Sequence, residues 1–135
     1  MSDEEAPPQQ AGCAHCWPDS AEAAWGARSV LAQETRLIDE SHFIVRVLTC
    51  LRCSQRFVSV FTEMIDWEAG EDPQSWSLLP ITATEAANLL EDGSSLTEAR
   101  LNSLGPGRRC LRHDNPKSGG PRLFWGTGLF VGMHD

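Results

Sequence analysis

The chain has no long apolar run, almost no lysine and two long stretches with no base, and each absence removes a class of protein. No run approaches the roughly 20 apolar residues that a membrane-spanning helix needs. The opening MSDEEAPPQQ has neither a basic start nor an apolar segment, so no secretory signal is expected and the cytosol becomes the default compartment. The usual catalytic signatures are missing as well: there is no P-loop, no H-E-x-x-H and no serine in a nucleophile elbow. No repeat of solenoid period occurs. Lys117 is the single lysine among eleven basic residues, which points first to base composition and only second to selection for bidentate arginine contacts.

The formal net charge is −8, and it is unevenly placed. Residues 1–27 hold five acids and no base, residues 67–98 hold seven acids and no base, and residues 99–135 hold six bases against two acids. An acidic surface repels phosphate backbones, so general nucleic-acid binding is disfavoured while a local basic face at the C-terminal end stays open. With 135 residues, one compact domain is expected. Residues 1–12 read as a disordered acidic tail, because prolines and glutamines follow an acidic cluster with almost nothing apolar to bury. Residues 13–135 then form the domain, with a first part over 13–80 and a second over 81–135.

Within it, Asp19 or Ser20 can cap a short helix through Ala24. Over 29–38 the apolar residues Val30, Leu31, Leu37 and Ile38 suit one face of a helix or a strand equally well. HFIVRVLTC and RFVSVFTEMIDW alternate on either side of CLRCSQ and predict a hairpin, with Phe57, Phe61, Ile65 and Trp67 on one face. Thr82 with Glu85 and Ser95 with Glu98 each have the spacing of a capping box, leading into helices that stop at Gly93 and at Gly105-Pro106. Segments 108–113 and 122–131 predict a C-terminal hairpin. The apolar FWGTGLFVG within it would be hazardous as an open edge and is expected to pair inside the sheet.

The chemistry lies in four cysteines. Cys13 and Cys16 form one C-x2-C pair, Cys50 and Cys53 form another, and 33 residues separate them. Two residues between thiols let both sulfurs of a tight turn face one ion about 2.3 Å away, and two such turns supply a tetrahedral thiolate shell. Zn²⁺ suits that shell; iron is chemically allowed, and a redox pair or plain buried thiols are the rival readings. A closed shell leaves the metal no open position for catalysis.

CAHC, CLRC, the hairpin through the second pair and the aromatic residues beside both resemble the zinc-ribbon class over residues 13–67. The resemblance implies one structural zinc held by Cys13, Cys16, Cys50 and Cys53 in an α+β domain, a ribbon elaborated by two short helices and a C-terminal hairpin. Two departures stand out: the glycine usual after a knuckle is Ser54 here, and Trp17-Pro18 follows the first knuckle.

Other residues carry weaker signals. Cys110, between arginines, reads as a small core hydrophobe. His15 and His42 lie near the cysteines in sequence without being expected as ligands. His113-Asp114 and His134-Asp135 are acid–base residue types, but neighbours on a strand point to opposite faces, so neither pair is a dyad by itself. The acidic DWEAGEDPQSW places Trp67, Glu68, Glu71, Asp72 and Trp76 in a composition suited to a protein interface, with a basic protein surface as partner. These readings converge on a non-catalytic, zinc-stabilised interaction module of the cytosol, in an adaptor, regulatory or immunity and antitoxin-type role. The alternatives are a nucleic-acid-associated ribbon using Arg108, Arg109, Arg112, Lys117 and Arg122, and an enzyme whose site is assembled from distant residues.

Overall fold

The structure, a computed structural model, describes residues 11–65, 67–68, 70, 72–116 and 119–134. The expected tail over residues 1–10, together with Asp66, Glu71, Lys117 and Asp135, therefore lies outside the described residues.

Six antiparallel strands form one sheet in the order of the chain: β1 (Leu31–Glu40), β2 (Phe43–Cys50), β3 (Arg56–Glu63), β4 (Gln74–Ile81), β5 (Arg109–Asn115) and β6 (Arg122–Thr127). Short helices accompany them: α1 (Ala21–Gly26) before the sheet, and α2 (Ala83–Asp92) and α3 (Glu98–Asn102) between β4 and β5. The fold is α+β. It is wider than a ribbon, because the cysteine-bearing hairpin β2–β3 sits in the middle of the sheet with strands on both sides.

Alternation along β2 and β3 divides the sheet into two faces. Val45, Val58, Val60 and Leu79 lie on one face and are buried with Leu89 of α2 and Leu101 of α3. Leu48, Phe57, Leu78 and Leu111 lie on the other and are covered by the N-terminal arm through Trp17, Ala21 and Ala24. Successive side chains of a strand point to opposite sides, so two apolar covers are needed, and the chain supplies one from each direction.

The ambiguous segment over 29–38 resolves as a strand with a reason for its helical appearance. Residues Ala27–Val30 make a turn of 3-10 helix, and β1 then pairs with β2 through register shifts between Gln33 and Thr35 and between Arg36 and Ile38. Each shift changes which face the following residues meet. Leu31 thus sits with the arm, whereas the adjacent Leu37 and Ile38 both pack on the opposite core.

The caps follow local chemistry. The Ser20 hydroxyl accepts from the Ala23 amide to start α1, and Thr82 and Glu85 form a full capping box at α2. The second expected box shifts by two residues: Thr97, not Ser95, caps α3 by accepting from the Arg100 amide. Ser95 instead donates to the Asp92 carbonyl, closing the turn between the helices. Two further expectations are corrected. β3 ends at Glu63, so Trp67 does not continue the alternation and is 86% exposed. β6 ends at Thr127 rather than at 131: Gly128 adopts φ 77°, and Leu129 then turns back into the helical core. The Ser77 hydroxyl donates to the Phe130 carbonyl at 2.8 Å, so the terminal segment crosses the sheet instead of extending its edge.

Candidate metal centre

Two tight turns bring the four thiols together. In the arm, the Cys16 and Trp17 amides both donate to the Cys13 carbonyl, at 3.2 and 2.8 Å. Gly12 precedes this turn at φ 76°, and a Cβ there would stand 2.8 Å from the Trp17 Cβ and 3.0 Å from the Cys16 Sγ. Only glycine fits that position. In the hairpin, Cys50 is the last residue of β2; its amide donates to the Gln55 carbonyl and its carbonyl accepts from the Ser54 amide, both at 2.9 Å. Ser54 is the one non-glycine among the described residues with positive φ, at 69°. The departure noted in the sequence is therefore explained: the backbone after this knuckle takes the left-handed conformation that favours glycine, and serine adopts it under strain.

Cys13 Sγ lies 3.8 Å from Cys16 Sγ and 4.0 Å from Cys50 Sγ, while Cys16 and Cys53 are 3.8 Å apart. All four sulfurs fall within 4.8 Å of one another. A tetrahedral ion with bonds of about 2.3 Å would hold its sulfurs about 3.8 Å apart, so the donor set fits in number, type and spacing. The separations are far beyond the roughly 2.05 Å of a disulfide, and all five cysteines are free. Backbone amides also turn toward the sulfurs: Cys13 donates to Cys16 Sγ and Arg52 to Cys50 Sγ, each at 3.3 Å. Cys16 and Cys50 are buried, whereas Cys53 is exposed at the outer corner.

The thiols divide by environment. Burial raises Cys13, but hydrogen bonds from the His15 and Cys16 backbone and from neighbouring thiols outweigh it, lowering this thiol from 9.0 to about 7. Burial pushes Cys16 and Cys53 upward. Neither pair stands at a helix N-terminus, the setting that activates thioredoxin-like thiols: α1 begins only at Ala21, and the second pair occupies a strand-to-strand turn.

Residues that no spacing rule marked hold the two turns in place. The Gln55 side chain accepts from the Gly12 amide at 3.2 Å and donates to the Arg56 and Ile81 carbonyls at 2.8 and 2.9 Å, joining arm, hairpin and β4. Trp17, buried against Phe57 and Trp125 at ring separations of 5.2 and 5.0 Å, anchors the arm beside the cysteines. The Asp19 carbonyl accepts from Trp125 Nε1 at 2.8 Å. In the sequence Trp17 stood out only as an aromatic residue following a knuckle.

The remaining candidates are dispersed. His15 is exposed, 3.4 Å from an Arg52 nitrogen, and His42 lies at the far end of β2, paired with Glu63 at 3.1 Å. His113 stacks on Trp25 on one face of the sheet, while Asp114 pairs with Arg112 on the other. His134 stacks on Phe43 and contacts Glu98. Cys110 is fully buried, and burial raises its thiol to about 11.

In the acidic region, Trp67 and Glu68 are exposed, and Asp72 is half-buried. Trp76 is not on that loop. It sits in β4, half-buried between Phe61, Trp25 and His113. The basic residues do not share a face. Arg108 makes two bonds to Glu85, at 2.6 and 2.7 Å. Arg109 lies 3.8 Å over the Trp125 ring, and Arg112 crosses to the opposite side to meet Asp114 and Phe130. Arg122 lies over Phe124 at the sheet edge.

Comparisons with protein-family models, with curated proteins and with solved structures found no match to this chain. No helix among the described residues is long and apolar enough to cross a membrane.

Proposed function

We propose that this protein is a non-catalytic, zinc-stabilised interaction module of the cytosol, with one structural zinc held by Cys13, Cys16, Cys50 and Cys53. The observation that carries the reading is the four-sulfur cluster within 4.8 Å, built from two separate turns. Zinc is favoured because it has no redox chemistry and no d-electron geometry preference, which suits a closed tetrahedral thiolate shell. When bound, the ion ties the arm to the central hairpin. The chain's own part is to present the sulfurs, through the left-handed Ser54 turn and the Gly12 turn, and to direct amides at them. A reducing compartment keeps those thiols available.

The partner in this reading is a protein with a basic surface, and Trp67 supplies the anchor. An indole 86% exposed, in a stretch of sequence that also holds Glu68, Glu71 and Asp72, combines a hot-spot residue with charge that speeds encounter. Trp76 contributes indirectly, through the aromatic cluster beneath the arm. Elemental analysis of protein purified without added metal tests the first half: one zinc per chain is expected, and loss of that zinc in Cys50→Ser. Absence of bound metal would overturn it. For the second half, changing Glu68 and Asp72 to Lys should slow association with a basic partner and flatten its salt dependence, with the zinc content unchanged. An unaltered association rate would remove the acidic surface from the account.

A further inference from the structure

Between the arm and the sheet lies a cleft of about 250 Å³ whose cations the proposed function does not use. Trp25 and Arg28 line it from the arm, and Gln33, Arg46, Ser59 and Trp76 line it from the sheet. In a chain of net charge −8, none of the lining residues is acidic. The two guanidiniums lack carboxylate partners among the described residues. Arg28 lies 3.5 Å over the Trp25 ring and gives its Nε–H to the Trp25 carbonyl at 2.8 Å, and its terminal nitrogens have no acceptor among the described residues. The Arg46 side chain projects from the middle of β2 and makes no hydrogen bond or ion pair among those residues. The neighbouring carboxylates are engaged elsewhere: Asp39 meets Arg36, and Glu34 meets Arg56.

The cations also act on one another. Burial and the charge of Arg46 lower the Arg28 pKa from its ordinary value, and burial and Arg36 do the same to Arg46. Bringing positive charges together without an acid costs free energy in the unliganded protein, and an anion would relieve it. Guanidinium forks favour planar carboxylate or tetrahedral phosphate oxygens. Leu48, Leu78 and Trp76 add apolar lining from the sheet, on the same face as Arg46. The volume lies just below the roughly 300–1,000 Å³ common for drug-sized ligands, so the cleft has room for about one ring and its charged group.

We propose that this cleft binds a small organic anion, a single aromatic ring bearing a carboxylate or a phosphate, with Arg28 and Arg46 holding the anionic group and Trp25 and Trp76 contacting the ring. The Ser59 hydroxyl and Gln33 amide are the neutral groups available to complete the contacts. Because β2 and β4 supply one wall and the arm supplies the other, binding also draws the arm onto the sheet.

Titrating the zinc-loaded full chain with phenyl phosphate, benzoate, inorganic phosphate and benzyl alcohol tests this, with binding followed by calorimetry and by NMR shifts of indole and arginine N–H groups. Saturable binding of phenyl phosphate or benzoate is expected, with shifts at Trp25, Trp76, Arg28 and Arg46; the stronger of the two identifies the charged group. Arg46→Gln should weaken it at least about tenfold, and Arg46→Lys less. Raising salt should also weaken it. Equal binding of benzyl alcohol would show a merely apolar cleft and overturn the anion claim. Inorganic phosphate binding as tightly as phenyl phosphate would overturn the role of the ring. Should Arg46→Gln misfold, shifts in the wild type confined to residues outside the cleft would still refute the site.

Discussion

At the residue scale, Glu85 has the most connected role on the helical side. It is the third residue of α2 and completes the capping box by accepting from the Thr82 amide at 2.9 Å, and it also accepts from both terminal nitrogens of Arg108. One carboxylate thus closes the start of a helix and fastens it to the chain entering β5. Burial raises its pKa, but Arg108 and the Thr82 amide outweigh burial and leave it below the ordinary 4.5. A depressed folded-state pKa means stability that is present above the unfolded value and lost as pH falls through the folded one. Acid titration of wild type should therefore show a loss of stability beginning below about pH 4.5 that Glu85→Gln lacks in part. The same change should cost about 1–3 kcal/mol at neutral pH by urea denaturation, since it removes a charge from a half-buried pair and weakens the cap. Equal stability of variant and wild type would show that the pair is only a surface contact.

At the element scale, the knuckle between β2 and β3 carries both a strained backbone and two of the four thiols. Ser54 occupies the left-handed region at φ 69°, where a side chain costs about 1–2 kcal/mol, while glycine's greater freedom in the unfolded chain offsets part of any gain. Ser54→Gly should accordingly stabilise the protein by about 0.5 kcal/mol, and Ser54→Val should destabilise it by at least about 1 kcal/mol. Thermal melts of the three proteins, each with its metal content measured, check the order. A valine variant as stable as wild type would mean the turn has another conformation. The arm depends on a different element contact: the indole of Trp17 fills the space between Phe57 and Trp125. Trp17→Ala should cost about 3–5 kcal/mol of stability, with proteolysis first appearing in residues 11–30.

Over the whole molecule, the two covers of the sheet differ in how they are attached. The helical cover is an excursion between β4 and β5, held at both ends by the sheet itself. The arm is held at one end by the strand that follows it and at the other by side-chain contacts and the sulfur cluster. Removing metal should therefore loosen the arm before the sheet. A chelator is expected to lower the melting temperature and red-shift tryptophan emission, while the far-ultraviolet strand signal persists. It should also weaken phenyl phosphate binding, because Trp25 and Arg28 belong to the arm. Loss of that binding with the metal still present would count against the cleft alone. An unchanged melting temperature after verified metal removal would count against the clip.

Local signals were legible in the residues themselves. The two C-x2-C pairs, the hairpin through the second, the capping box at Thr82 and a cap at Asp19 or Ser20 each depend on side chains a few positions apart, where backbone geometry dictates what can meet. The conformation of residues 29–38 was not legible, because two bulges in β1 alter the period-two pattern and only pairing with β2 reveals them. For the same reason Trp67 and Trp76, alike in composition and setting, part company: strand β4 carries Trp76 under the arm, and the turn after β3 leaves Trp67 in solvent. Gln55, Gly12 and the cleft with Arg28 and Arg46 also required the tertiary structure. Their partners come from segments separated by up to dozens of residues, and no spacing rule reaches across such gaps. What the chain determined by itself was the chemistry of the four thiols; folding decided which surfaces surround them, because burial is a property of the paired strand and the packed arm rather than of any one segment.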